Sequence, residues 1–181
     1  MADSNITKRA LANALKTLMQ TTAFAKISVA DICEKCDMSR KSFYYHFQDK
    51  YELMNWIFDM EFIEFIQRGD KDKSIEEMMA LFRILYDNRA FYRNALSVQG
   101  QNSLSDHIRE LALLILQSKL KEALSENEDS GFYVEFFIDA LLWAIIRWIR
   151  DENCEPPEKF IPHFFSCILA TAKYIMKKYD D

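Results

Sequence analysis

Only three glycines and three prolines punctuate 181 residues, and this shortage constrains the fold more than any other feature. A sheet protein needs a turn signal every few residues, and Gly and Pro supply many of them. A chain that lacks them while using Leu, Ala, Met, Lys and Glu freely is expected to be all-α, with short connections. At 50% hydrophobic residues it can also bury a real core.

Several classes are disfavoured at once. The most apolar segment, FYVEFFIDALLWAIIRWIR, is broken by Glu135, Asp139, Arg147 and Arg150, so no run approaches the roughly 18 uninterrupted residues of a membrane span. The opening MADSNITKRA has no apolar secretory stretch, and the four cysteines have no disulfide-framework spacing. These features predict a soluble, reduced, cytoplasmic protein without a membrane partner.

The net charge of −5 argues against a nucleic-acid partner until it is divided along the chain. Residues 1–56 carry eight Lys/Arg and six Asp/Glu, for +2, whereas the remainder carries fifteen and twenty-two, for −7. A mildly basic head on an acidic body is the result.

Periodicity and capping signals place the helices. A first helix is expected over 7–20, with Leu11, Ala14, Leu15 and Leu18 on one face. Ser28-Val-Ala-Asp31 has the form of a capping box and opens a second helix, whose apolar stripe is Val29, Ile32, Cys33 and Cys36. Asp37, a residue that tolerates left-handed backbone, suits the turn before Ser39, which caps a third helix. A second box, Asp49-Lys-Tyr-Glu52, opens a fourth helix running towards Gly69. Three short helices with a tight turn between the second and third form the helix-turn-helix plan. Further helices are expected over 74–88, 91–98, 103–125 and 132–153, and from Pro156-Pro157 to about 179. The expected organisation is a helix-turn-helix DNA-binding domain over 1–56 and a helical dimerisation and effector or partner-binding domain over 57–181. The segment 132–153 is apolar nearly all round and must be covered all round. With the final aromatic helix FIPHFFSCILATAKYIM, it is the expected seam of a homodimer.

Sites for catalysis are not suggested. Cys33-Glu-Lys-Cys36 has metal-site spacing, but both thiols fall on the apolar stripe and no second ligand pair completes a tetrad, so they are expected to be small buried hydrophobes. His46, His107 and His163 are isolated. There is neither a Gly-rich phosphate loop nor a nucleophile motif, so the chain is not expected to be an enzyme or to hold a metal or cofactor.

The informative segment is SRKSFYYHFQDK, residues 39–50. At about 100° per residue, Phe43 and Phe47 face inward together, while Lys41, Ser42, Tyr44 and Tyr45 project from the other side with Arg40 and His46 on the flanks. Tyrosines beside cations suit a helix placed in the major groove of DNA. The plainer reading packs both tyrosines against a neighbouring helix.

These residues resemble the TetR-type bacterial transcription regulators. SVADI stands for the first helix of the family's DNA-binding motif and SRKSFYYHFQDKYEL for the second, with Ser39, Ser42, Tyr44, His46, Phe47, Lys50 and Leu53 in register. Two positions depart from that pattern: Cys36-Asp37-Met38 replaces a small-Gly-hydrophobic turn, and Lys41 stands where relatives often have Gly or Pro. The resemblance implies a homodimer on a near-palindromic double-stranded operator. Arg40, Lys41, Ser42 and Tyr45 would approach base edges, and Ser28, Tyr44, His46 and Lys50 would hold phosphates. More narrowly, SFYYHF followed by NWIFDMEF resembles the branch of dihydroxyacetone-kinase operon activators, which implies a kinase-subunit-like protein effector. If the effector is instead a small molecule, Phe62, Phe65, Phe82, Tyr86, Phe91, Tyr92 and Trp143 are expected to line its cavity, with Arg83 or His107 orienting it. The plainer reading makes these aromatics ordinary core. The alternative to a regulator is a helical protein–protein interaction module that has lost sequence-specific DNA binding.

Overall fold

The computed structural model describes residues 2–68, 75–100, 102–123 and 130–179, and their side chains except at 2–3, 63–68, 75–78, 115–123, 130, 133 and 172–179. Every regular element among the described residues is helical. These are α1 (Ala2–Leu18), a single 3-10 turn (Phe24–Lys26), α2 (Val29–Lys35), α3 (Arg40–His46), α4 (Lys50–Arg68), α5 (Ile75–Asp87), α6 (Arg89–Ala95), α7 (Leu104–Ala123), α8 (Ser130–Arg150) and α9 (Pro157–Tyr179).

Helices α1, α2 and α3 form a head around Leu11, Leu15, Phe24, Ile32, Phe43, Phe47 and Leu53. Short-range chemistry shapes it. Ser28 Oγ accepts from the Asp31 amide at 3.2 Å and Asp31 Oδ2 accepts from the Ser28 amide at 2.8 Å, so both halves of the expected capping box form. Asp37 adopts φ +54° and Met38 N–H returns to Cys33 O at 2.9 Å, ending α2 in a Schellman turn with Asp in the place usually given to Gly. Cys33 is buried and Cys36 half-buried, and burial pushes both thiols up.

Helix α4 runs without interruption from the head into the body, across the expected division at 56/57. In the body, α7 packs on α8, α5 on α9, and α6 on α8, while α4 touches both α5 and α7. Head and body share one continuous core that extends from Leu11 to Ile161. Two polar junctions reinforce it. Glu61 of α4 accepts from Lys16 of α1 at 2.6 Å and from the hydroxyl of fully buried Tyr92 of α6. Burial, with Glu61 adding to it, pushes the Tyr92 phenol well above its ordinary value.

Within one protomer α8 is covered on one side only. Val134, Ile138, Ile146 and Ile149 are buried, but Phe132, Phe136 and Trp143 are 71%, 57% and 63% exposed. These three and exposed Ala140 lie along one stripe of the helix. Leu169 of α9 is also more than half exposed.

Candidate nucleic-acid interface

The candidate face is assembled by α3. Ser39 Oγ accepts from the Ser42 amide at 3.1 Å, which starts the helix. Phe43, 0% exposed, and Phe47, 2% exposed, then anchor it to the head. With two residues fixed four apart, the intervening side chains must point away. Tyr44 is 51% exposed and Tyr45 82%. Arg40 and Lys41 are exposed beside them, and the Arg40 guanidinium lies over the Tyr44 ring at 6.0 Å. Lys41, Ser42, Tyr44 and Tyr45 line one shallow concavity with Ser39. The structure thus gathers the expected base-contacting set, Arg40, Lys41, Ser42 and Tyr45, on one outward surface.

The expected phosphate set is more dispersed. Tyr44 shares the α3 face, and His46 is half-buried with its ring edge-on to Tyr45 at 4.9 Å. Ser28 is exposed at the start of α2, with its hydroxyl engaged by Asp31. Lys50 departs from the expectation. Its ammonium donates to the carbonyls of Phe24 at 2.8 Å and Ile27 at 2.6 Å, and sits 4.5 Å over the Phe24 ring. The physical reason is local: the Phe24 carbonyl accepts the Ile27 N–H at 3.1 Å and has a second lone pair to offer, and the Ile27 carbonyl lies just past the turn, so the first residue of α4 can lie against both. Burial lowers the Lys50 pKa, while Asp31 opposes that shift.

The residues expected around a small-molecule effector are not gathered about one cavity. Phe82 packs at a tilt among Trp148, Phe160 and Phe164, and Tyr86 stacks on Trp148, so these rings fill the space between α5, α8 and α9 with one another. Phe91 and Tyr92 belong to the buried core near the head, Phe62 packs on Phe58, and Trp143 faces outward on α8. Phe65 lies outside the residues whose side chains are described. Arg83 is paired with Glu158 of α9, and His107 Nε2 lies 2.6 Å from Asp59 of α4, so both serve as ties between helices. Among the described residues no cluster of three or more His, Cys, Asp or Glu is placed to hold a metal ion, and no helix is long and apolar enough to cross a membrane.

Asn94 was not singled out by sequence reasoning. It sits on α6 and hydrogen-bonds three backbone groups of the head, at Met19, Thr22 and Phe24. Its one signal in the sequence is a polar amide within the otherwise buried run Phe91, Tyr92, Ala95 and Leu96.

Known proteins are similar over the same regions. Residues 8–56 match the profile described as bacterial regulatory proteins, tetR family, and residues 72–169 match one described as transcriptional regulator C-terminal region. The HTH-type dhaKLM operon transcriptional activator DhaS of Lactococcus lactis subsp. lactis (strain IL1403) is 39% identical over 94 residues. That match spans 51% of this chain and 50% of the relative, about half the length of each. A solved structure named dihydroxyacetone kinase operon activator DhaS superposes with a TM-score of 0.65 at 26% identity, covering 93% of this chain and 97% of the other. A TetR transcriptional regulator from Streptococcus agalactiae 2603V gives a TM-score of 0.69 at 18% identity, covering 92% and 96%. NalD, a repressor of a multidrug efflux pump in Pseudomonas aeruginosa, gives 0.62 at 15%, covering 93% and 96%. The last two likenesses concern the fold alone.

Proposed function

The chain belongs to the tetR family of bacterial regulatory proteins, and from that premise we propose that it acts as a homodimer binding a near-palindromic operator in a sequence-specific way. One observation carries the reading: α3 buries Phe43 and Phe47 while holding Tyr44, Tyr45, Arg40 and Lys41 outward on a single face. In a major groove, Arg40 and Lys41 offer donors to guanine O6 and N7, Ser42 bonds either kind of base edge, and the Tyr45 ring lies against a thymine methyl. Tyr44, His46 and Ser28 are assigned to phosphates, which fix register without reading sequence. Lys50 contributes by tying the start of α4 to the 3-10 turn.

In this reading, residues 1–56 contact DNA and residues 57–181 pair the protomers and receive the controlling signal. The stripe of Phe132, Phe136, Ala140 and Trp143 on α8, with Leu169 on α9, supplies an apolar surface that a second copy would cover. Pairing places two α3 helices in successive major grooves, about one helical turn apart or slightly more. The aromatic packing between α5, α8 and α9 supports control by a protein docking on the body over a small molecule enclosed in it. The relative at 39% identity is named as an operon activator, and we extend to this chain a role in regulating a metabolic operon of that kind.

Selection from random-sequence duplexes tests the reading. The purified protein should enrich a near-palindrome, and binding should weaken steeply with salt because phosphates supply much of the affinity. Enrichment of no sequence at all would sink it.

A further inference from the structure

Adjacent residues on α6 grip two different parts of the molecule. Arg93 Nε donates to Ile149 O at 3.2 Å and its terminal nitrogen donates to Asp151 O at 2.5 Å, both at the C-terminal end of α8. Asn94 turns to the head. Its Nδ2 donates to Met19 O at 3.1 Å and Thr22 O at 2.7 Å, and its Oδ1 accepts from Phe24 N–H at 2.9 Å. Both donors and the acceptor of the amide are therefore engaged by the segment that follows α1.

That segment is where a helix end would normally be closed by its own chain. Carbonyls past the last turn of a helix need a partner, commonly a left-handed glycine turn or water. Here the next glycine after α1 is Gly69; the chain's own Thr21 and Thr22 amides close on Leu18 O, and the Asn94 amide of the body meets the Met19 and Thr22 carbonyls beyond it. The same segment is held from the other side: the Phe24 carbonyl accepts from Lys50, the first residue of α4 and four residues beyond the end of α3 at His46. One residue, Phe24, is thus bonded to the body through its N–H, which Asn94 accepts, and to the reading unit through its carbonyl, to which Lys50 donates.

We propose that Arg93 and Asn94 act together as positioning residues for operator binding, setting the orientation of the DNA-reading head against the end of α8. The proposal rests on the homodimeric, operator-binding reading above and goes beyond it by naming the link. Rotation of the head about the α4 axis breaks the Asn94 bonds and leaves two carbonyls and one N–H unpaired. Displacement of the end of α8 pulls on Arg93, and the next residue along carries that displacement to the head. The relay acts in addition to the Lys16–Glu61–Tyr92 junction, whose hydrogen bonds join α1 to α4 and α6.

The test uses the full-length protein in anisotropy titrations on three duplexes: the selected palindrome, the same duplex with one base pair inserted at its centre, and an isolated half-site. The insertion rotates one half-site by roughly a tenth of a turn. Wild type should prefer the uninserted palindrome. Asn94→Ala and Arg93→Met should each bind the half-site as wild type does, bind the palindrome about tenfold more weakly, and lose most of the preference between the two spacings. Asn94→Asp, which keeps the Phe24 acceptor but sets a carboxylate against two carbonyls, should behave like Asn94→Ala. Unchanged spacing preference in these variants overturns the proposal. A parallel fall on half-site and palindrome also overturns it, because that is the mark of a residue needed only for the head to fold. Wild type that prefers no sequence would instead contradict the operator-binding reading itself, so the two failures are distinguishable.

Discussion

Tyr44 and Tyr45 on α3 and Phe136 and Trp143 on α8 are all more than half exposed, yet the two pairs differ in everything around them. The α3 pair carries hydroxyls and stands beside Arg40 and Lys41 in the basic part of the chain. An aromatic body with a polar tip next to cations suits a hydrated, negatively charged groove. The α8 residues run in one stripe with Phe132 and Ala140, and within that stripe the side chains of Phe132, Phe136 and Ala140 have no polar atom. Such a surface gains by meeting another apolar one. Exposure alone therefore does not identify an interface; the polarity of the neighbours decides which partner an outward aromatic fits.

The comparison breaks first, and with the largest effect, inside the head. Phe43→Ala should cost about 3–5 kcal/mol of stability, read from urea unfolding, because the side chain is fully buried in the head core. A small loss would mean that α3 is not anchored as described. On the body, Trp143→Glu should shift the monomer–dimer equilibrium by about 2 kcal/mol or more, measured by sedimentation, with helicity and half-site affinity retained. An unchanged equilibrium would remove the α8 stripe from the seam. Tyr45→Ala is the sharpest contrast with Phe43→Ala. It should leave unfolding within about 0.5 kcal/mol of wild type but weaken binding to the selected duplex by roughly 1–3 kcal/mol. The smallest effect concerns the frame that carries α3: Ser28→Ala should cost about 1 kcal/mol.

The same cap has a pH signature of known sign. The Ser28 amide, helped by the Ser28 hydroxyl, holds the Asp31 carboxyl below its ordinary value. A depressed carboxylate contributes stability above its unfolded pKa, and the contribution is lost as pH falls through the lowered folded value. The protection factors of the Ser28 and Asp31 amides, taken relative to the intrinsic exchange rate at each pH, should therefore fall on acidification in wild type, and that of the Asp31 amide, whose acceptor is the Ser28 hydroxyl, should already be low at neutral pH in Ser28→Ala.

Features built from neighbours in the chain are legible in the sequence itself. Ser28 with Asp31, the left-handed Asp37 and the Ser39 cap involve residues at most three apart, and each forms as the residue types require. The second capping box forms only in part. Asp49 accepts from the amides of Tyr51 and Glu52, but Glu52 reaches back to Gln48 N–H. Helix α1 begins at Ala2, ahead of the expected Thr7, because the residues before Thr7 include no Gly or Pro to stop it. What could not be read is contact across the chain. Asn94 meets Phe24 across 70 positions and His107 meets Asp59 across 48, and no periodicity encodes such meetings. Lys50 shows the limit most clearly. A cation at a helix start beside DNA reads as a phosphate ligand, and only the fold reveals the Phe24 and Ile27 carbonyls to which its ammonium donates instead. Trp143 shows the other side of it, since a helix apolar nearly all round does not say which face its own chain will cover.

The central claim is that the outward face of α3 reads sequence. Its most direct measurement is the ratio of affinities for the selected palindrome and a scrambled duplex of equal length at physiological salt, for wild type and Tyr45→Ala. A reading surface predicts a wild-type ratio of about 10³ or more that drops at least tenfold on Tyr45→Ala while affinity for the scrambled duplex holds. A wild-type ratio near one, or a ratio untouched by Tyr45→Ala, would contradict it.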